Sequence, residues 1–368
     1  MMILTMLGKS LYIHIPFCKK KCPYCSFYVV KYNDSRADSF TDLLIKEIQS
    51  KKFNFPLNSI YFGGGTPYLL GPNNIKRILN VTGESKEITL EANPEDITPE
   101  GMIAYKEAGI NRVSIGVQTF DDALLKFLGR NHSGEKAKQA VFDTFYAGIT
   151  NITIDLMYDI PTQTRKQFSQ TLNITKTLPI SHLSLYNLTI EPYTPFHKKE
   201  KSLEILRPSS EDSTLMLKDA ISCLEQMGLK RYEISAFAKP HKESIHNTGY
   251  WKGTPFHGVG PSAFSYIDGA RFQNICNIKK YEEKIKESID PIDFYEKLDP
   301  KASKRELLVT GIRMIEGIDI EQFKETLKEL KDPIQKLLDS AYLKQNKKTL
   351  SLTEKGLLFY DDVASDLI

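Results

Sequence analysis

Short runs of apolar and β-branched residues alternate along this chain with longer stretches in which apolar positions recur every three or four residues. The runs at 11–15, 59–62, 87–92, 112–116, 151–156 and 182–188 predict strands. Their separations of roughly 25 to 45 residues leave room for a loop, a helix and a second loop between consecutive parallel strands. The helices are well marked. In GEKAKQAVFDTFYAG, Ala137, Val141 and Phe145 recur every four residues with Ala140 beside them, and Gly148 supplies a left-handed stop. Asp38 or Ser39 is the expected cap of a helix carrying Phe40, Leu44 and Ile48. A series of β/α units predicts an α/β fold with a parallel sheet. The chemistry gathered just past the strands favours a curved sheet, a partial (β/α)6-type barrel, over a doubly wound one.

That chemistry is dense. Strand one is followed by Cys18, Cys22 and Cys25, and strand two by Gly63, Gly64, Gly65, Thr66 and Pro67. Strand three is expected to end in Glu91, Asn93 and Pro94, strand four to run into Gly116 and Gln118, and strand five to end at Asp155. After Leu188 the pattern changes to a helix at 210–227, a strand-like RYEISAF, and an irregular stretch at 239–277 holding the only tryptophan. From Lys304 onward short capped helices are expected, one of them opened by Asp332 before Pro333, and YLKQNKKTLSLTEKG reads as a hairpin before a last helix. The chain thus divides into a barrel at 1–240, a connecting segment at 241–300 and a mostly helical, winged-helix-like module at 301–368.

Composition narrows the class. With 41% hydrophobic and 26% charged residues, the 368-residue chain is neither disordered nor fibrous nor a membrane protein by content. Its formal charge of +3 is spread along the chain and makes no bulk case for nucleic acid or anionic lipid. The apolar patch in MMILTMLGKSLYIHIPFC is too short to span a bilayer and is followed by no small-residue cleavage site. A cytoplasmic protein is expected, with no membrane span and with peripheral contact left open. Five cysteines cannot staple so long a chain, and three of them crowd into the 18–25 segment.

Cys18-Lys-Lys-Lys-Cys22-Pro-Tyr-Cys25 admits several chemistries. A Cys-Pro-Tyr-Cys redox dithiol needs an electropositive helix start, and the SFYVV that follows is aromatic and β-branched. Structural zinc needs a fourth ligand, and His14, Cys223 and Cys276 show no paired spacing. Three thiolates on one loop suit a cubane iron-sulfur cluster, with one of its four irons left for a ligand that is not protein. At this point the chain resembles the radical S-adenosylmethionine (SAM) family, and the run YIHIPFCKKKCPYC resembles its HemN-like, coproporphyrinogen dehydrogenase branch. The likeness continues through FGGGTP, EANP, RVSIGVQTF, LGRNH, DLMYDIPTQT and SLYNLTIEPYTPF, covering about the first 265 residues in order. The last part fits the family's carboxy-terminal domain more loosely.

The resemblance implies a [4Fe-4S] cluster on Cys18, Cys22 and Cys25, with SAM chelating the open iron and an electron from the cluster releasing a 5′-deoxyadenosyl radical. It places Tyr12 and the backbone near Tyr24 beside SAM, with the Glu91 carboxylate toward its amino group. Gly64 and Gly65, lacking Cβ atoms, are expected to let backbone amides approach the ligand's carboxylate, with Thr66 and Pro67 fixing the turn. No lysine and hydroxyl residue follow at the spacing of a phosphate loop. Gln118, Arg130 and Asp155 match residues that the coproporphyrinogen enzymes use around a second SAM, although each also fits a local structural role.

Two departures divide the family. The dehydrogenase branch carries a further cysteine two residues after the third ligand, where this chain has Ser26 and Phe27. The chain is also expected to lack that branch's long amino-terminal extension. Both features resemble the HemW branch, regarded as heme chaperones that keep the cluster and SAM site but pass heme to an acceptor protein. His246-Asn-Thr-Gly-Tyr250-Trp251 matches that branch's HNxxYW motif. It implies His246 as a ligand to heme iron with Tyr250 and Trp251 against the porphyrin, Cys276 and His257 standing as alternatives. The expected partners are heme or a porphyrinogen, a heme-acceptor protein and an electron donor. The alternative reading is an oxygen-independent coproporphyrinogen III oxidase, and the sequence leaves open whether SAM is cleaved or only bound.

Overall fold

The computed structural model describes residues 8–53 and 56–368, so the amino-terminal apolar patch at 1–7 lies outside the described residues. Six parallel strands follow one another across the sheet: β1 (Ser10–Ile15), β2 (Leu57–Gly64), β3 (Ser85–Ala92), β4 (Arg112–Gln118), β5 (Asn151–Tyr158) and β6 (His182–Asn187). Each pairs in parallel with its predecessor, and the helices between them include α1 (Ala37–Ser50), α2 (Pro72–Thr82), α3 (Pro99–Ala108), α4 (Gly134–Tyr146) and α5 (Arg165–Thr175). The sheet does not close on itself, as a partial barrel requires.

The alternation along each strand explains how a hollow forms. Leu11, Ile13, Ile60, Phe62, Ile88, Leu90, Val113, Ile115, Ile152, Ile154, Leu183 and Leu185 are buried in one core with the apolar faces of the helices. The intervening positions are polar: Tyr12 and His14, Ser59 and Tyr61, Glu87, Thr89 and Glu91, Arg112 and Ser114, Thr153 and Asp155, His182 and Ser184. Side chains on a strand alternate faces, so the apolar set seals the outer layer and the polar set lines the concave side.

Several local expectations shift. α1 starts at Ala37 after a 3-10 turn capped by the Asn33 side chain, so neither Asp38 nor Ser39 caps it. Phe145 is part-exposed while Thr144 is buried on the same helix, and Gly148 does adopt the left-handed stop (φ 84°). Asp155 lies in the middle of β5, which continues to Tyr158. RYEISAF divides into the two-residue Lys230–Arg231 strand and β7 (Ala236–Ala238), which are antiparallel to each other. Asp332 and Pro333 fall inside a helix that begins at Lys331, so Asp332 is not its cap.

The largest correction concerns 239–277, expected to be irregular. It contains α6 (Ile245–Trp251) and strands β8 (Phe256–Val259), β9 (Phe264–Ile267) and β10 (Ala270–Asn274), followed by β11 (Ile292–Lys297). β8 lies parallel to β1 on the side opposite β2, and β9 to β11 extend the sheet as an antiparallel meander. Rather than merely connecting two domains, this stretch completes one wall of the barrel.

Residues from Leu308 to Leu367 form a second apolar core. There, helices including Pro300–Gly311, Lys331–Asp339 and Tyr360–Leu367 surround a three-stranded sheet, Ile318–Asp319, Leu343–Gln345 and Thr349–Leu352. The last two strands are the hairpin expected from YLKQNKKTLSLTEKG. The module meets the barrel through the bridge between Glu233 and Met314 and the hydrogen bond from the Ile315 N–H to the Tyr232 carbonyl.

Candidate functional site

The cysteine loop leaves β1 across a tight seam. The Gly65 and Thr66 N–H groups donate to the carbonyls of Ile15 and Phe17, both at 2.8 Å. A Cβ at Gly65 would come 2.6 Å from the Phe17 carbonyl oxygen, and one at Gly64 (φ 112°) would strike the His14 ring. These glycines are therefore needed for the end of β2 to pack on the root of the cysteine loop. That is a different reason from the ligand approach expected of them, because the Gly65 and Thr66 amides already have backbone partners.

A polar chain ties two cysteines together. Thr66 Oγ1 lies 3.5 Å from Cys18 Sγ and accepts from Asn93 Nδ2 at 2.8 Å. Asn93 Oδ1 accepts from Arg130 Nη2 at 2.6 Å, and Arg130 Nη1 points at Cys22 Sγ across 3.7 Å. The same guanidinium donates to the Gly116 carbonyl at 2.7 Å. Gln118 closes the group from the end of β4, where its backbone is left-handed (φ 67°) and its amide lies beside Arg130 and Asn93 around Gly116. Tyr24, between the second and third cysteines, packs its ring against Phe196. Asn93 was visible in EANP at the expected strand end, but only the structure shows it joining Thr66 to Arg130.

Burial pushes the Cys18 thiol up to about 11 and raises that of Cys25, the nearby thiols add to both rises, and Arg130 opposes them. Iron binds thiolate, so loading this loop must displace protons, and a half-buried cation beside it favours that displacement. The donor set fits a cubane cluster. Each thiolate of such a cluster holds a different iron, so the three sulfurs need to share a neighbourhood and need not converge on one point.

A second group lies deeper in the hollow. Glu91 accepts from the Tyr61 hydroxyl at 2.8 Å and from the Gly64 N–H at 3.2 Å. Burial, with the Asp155 charge nearby, raises its carboxyl to about 7. Asp155 accepts from Ser114 at 3.2 Å and is raised by burial to about 6. Tyr12 stacks on Tyr61 with ring centroids 6.1 Å apart, and its hydroxyl lies 3.2 Å from His14 Nδ1. Tyr61, absent from the sequence-based candidates, follows from the inward alternation of β2.

His246 belongs to α6 rather than to an irregular loop, and only 2% of its surface is exposed. Both ring nitrogens are engaged: Nδ1 with Ser59 Oγ at 2.8 Å and Nε2 with the Tyr250 hydroxyl at 2.7 Å. Burial lowers its pKa to about 3, so the imidazole is neutral. Of the alternatives, His257 Nε2 is bonded to the Lys52 carbonyl at 3.0 Å, and Cys276 is exposed.

One cleft of about 870 Å3 joins these parts. It begins at Ser26, Phe27 and Tyr28 beside the cysteine loop, crosses Tyr12, Tyr61 and Glu91, and reaches Tyr250, Trp251, Phe264 and the carboxy-terminal Arg313. Aromatic rings form a large part of its wall, interleaved with hydroxyl residues and with the charged Glu91, Glu233, Arg271, Glu306 and Arg313, a combination that can cover a bulky flat ligand and also reach polar groups on it. Of the residues singled out from sequence, Cys18, Cys22, Cys25, Tyr24, Thr66, Gln118 and Arg130 gather on the cysteine side. Tyr12, Glu91 and His246 line the cleft, Gly64 bonds to Glu91 between the two groups, and Asp155 sits below in the polar layer of the hollow.

Comparison with known proteins gives the family. The radical SAM superfamily model matches residues 12–174, and the HemN C-terminal domain model matches 298–359. The chain is 32% identical to the heme chaperone HemW of Lactococcus lactis, over 94% of each chain. It is also 32% identical to that of Bacillus subtilis, over 96% of this chain and 98% of the other. A solved structure of the Escherichia coli coproporphyrinogen III oxidase HemN, described as a radical SAM enzyme, superposes with a TM-score of 0.84 at 24% identity, over 98% of this chain and 90% of that one, and shows the shared fold. By its motifs, its fold and its full-length relatives, the chain belongs to the radical SAM superfamily, in the HemN-like branch and within it the HemW family.

Proposed function

We propose that this protein is a heme chaperone of the HemW type, which carries a [4Fe-4S] cluster and SAM at the mouth of the barrel and heme in the adjoining cleft, and delivers heme to an acceptor protein. The observation that carries the reading is the continuity of the cleft from the cysteine loop to the HNTGYW helix. A flat, apolar tetrapyrrole buries its faces against rings such as Tyr12, Tyr61, Tyr250 and Trp251, which is where most of its affinity would arise. The names of the full-length relatives support the same cargo.

Cys18, Cys22 and Cys25 would hold the cluster. When bound, it would supply one-electron chemistry to SAM at its open iron. Tyr12, Glu91, Gln118, Arg130 and Asp155, with Gly64, Gly65 and the backbone at Tyr24, are the proposed SAM surroundings. Arg130 orients Asn93 and faces Cys22, and Glu91 holds a proton near neutral pH at the inner wall. His246 would bind the heme iron. Its neutral ring suits iron, and ligation through Nε2 requires the Tyr250 hydroxyl to turn away. The site lies between barrel and carboxy-terminal module, a position from which an acceptor could receive the cargo without crossing the protein.

The test is heme loading and transfer. Cluster-loaded protein saturated with heme should pass it to a heme-free acceptor protein, seen as the acceptor's Soret spectrum. Retention of all heme under those conditions would remove the delivery function. No helix among the described residues is long and apolar enough to cross a membrane, and cytoplasmic operation is part of this proposal.

A further inference from the structure

The far end of the cleft holds a cation whose hydrogen bonding is incomplete. Arg313 stands just past the Pro300–Gly311 helix and lines the cleft. Its guanidinium lies over the ring of Trp251 at 4.3 Å and over that of Tyr360 at 5.0 Å. Stacked rings fix the plane of the group and leave the N–H donors in that plane to find partners of their own. Arg313 Nη2 is 3.6 Å from Glu233 Oε2, an ion pair too long for a hydrogen bond. Arg313 Nε, the indole Nε1 of Trp251 and Glu233 Oε2 are buried atoms, and none has a hydrogen-bond partner among the described residues. The other arginine of the cleft differs: Arg271 donates to Glu296 and to Glu306, both at 2.5 Å.

A buried donor left unpaired is costly, and here two of them, one charged, stand together. They call for an acceptor from outside the chain. The planar fork of a guanidinium matches a carboxylate, and an indole N–H beside it adds a further donor. Glu233 engages only part of the fork. Its Oε1 accepts from the Ser235 N–H at 3.0 Å, and burial raises its carboxyl, with Arg313 opposing the rise. A carboxyl so raised repels a second carboxylate less, and a fork of five donors can serve both.

We propose that Arg313, with the indole N–H of Trp251, anchors a peripheral carboxylate of the tetrapyrrole cargo, so that the ligand is held by its edge as well as by its faces. The inference rests on the heme reading above. Trp251 ends the helix that carries His246, five residues and about 7.5 Å of rise further on, a separation that the half-width of a tetrapyrrole spans. Aromatic walls cover a flat ring without fixing its rotation in the plane, and a charge-assisted bond at one edge fixes it. The same bond selects tetrapyrroles that carry acidic side chains. Arg313 belongs to the carboxy-terminal module and Trp251 to the barrel wall, so the bound carboxylate bridges the two parts.

Heme and heme dimethyl ester, in which both carboxylates are blocked, are titrated in the same dilute detergent into full-length, cluster-loaded wild type, Arg313→Gln and Trp251→Phe. Wild type should bind heme at least about tenfold more tightly than the ester. Arg313→Gln should lose most of that preference by weakening heme alone. Trp251→Phe, which keeps a ring and removes the N–H, should lose part of it. The Soret band of bound heme should keep its wild-type position in both variants, since the ligand to iron is untouched. Equal affinity of wild type for heme and ester would overturn the inference and leave only ordered water at these donors. An unchanged preference in either variant would also overturn it, as would an equal loss for both ligands, which marks a structural role. Should Arg313→Gln fail to fold, Trp251→Phe and the wild-type comparison decide the matter. Failure of wild type to bind either ligand saturably would contradict the heme reading itself, and this inference with it.

Discussion

Arg130 holds Asn93 with one terminal nitrogen, at 2.6 Å, and faces the Cys22 sulfur with the other, at 3.7 Å. The cysteine loop, the end of β3 and the end of β4 are thereby joined through one half-buried cation. Replacing Arg130 by Ala leaves Asn93 and the Gly116 carbonyl without their donor, and such losses of buried charged partners cost about 3 kcal/mol. Denaturant midpoints of the cluster-free protein should report that destabilisation, and cluster occupancy after reconstitution should fall. Arg130→Lys should recover little, because one ammonium cannot span Asn93, Gly116 and Cys22. Wild-type stability and iron content in Arg130→Ala would show the network to be incidental.

Reconstituted without oxygen, the protein should hold about four irons and four sulfides. Ala at Cys18, Cys22 or Cys25 should abolish that content. Ala at Cys223, buried against the Leu172 carbonyl, or at exposed Cys276 should leave it intact. Equal dependence on either of the last two would mean a fourth protein ligand and no iron free for SAM.

The carboxyls of Glu91 and Asp155 are raised in the fold, to about 7 and about 6, chiefly by burial. Both bind protons more tightly folded than unfolded. Their contribution is therefore most favourable below the unfolded carboxylate range and is lost as pH rises through the folded values. Stability of the cluster-free protein should fall between about pH 4.5 and 7, by an amount on the order of 3 kcal/mol from Glu91 alone. Urea titrations of wild type and Glu91→Gln decide it: the variant should show a much flatter profile over that window, and parallel profiles would exclude Glu91 as the source.

Much of this site was legible in the sequence because apolar and polar residues alternate strictly in β1 to β6, and strand direction then places the cysteine loop, GGGTP and EANP at one end. The apolar run at 151–156 places Asp155 at a strand end, whereas β5 runs on to Tyr158 and leaves Asp155 in the inner layer. The 239–277 stretch was illegible for a different reason. Its strands have only four or five residues, and β8 is held by pairing with β1, more than 240 positions earlier, a register that no local pattern carries. His246 was recognised by its motif, but its bonds to Ser59 and Tyr250 depend on that distant packing.

Phe27, which by the family resemblance stands where the dehydrogenase branch has a further cysteine, is exposed at the start of the cleft. Reduced, cluster-loaded protein supplied with SAM should therefore give no multiple-turnover conversion of coproporphyrinogen III to protoporphyrinogen IX, as followed by chromatography of the porphyrins. Sustained decarboxylation would replace the chaperone reading with the oxidase.

Heme titration of cluster-loaded wild type and His246→Ala tests the central claim most directly. Wild type should bind heme saturably, at about one per chain, with a Soret band distinct from that of free heme. His246→Ala should alter that band and weaken binding at least about tenfold, or ~1.4 kcal/mol, while keeping full iron and sulfide. Identical spectra and affinities would exclude His246 as the ligand, and failure of cluster-loaded wild type to bind heme saturably would contradict the proposed function.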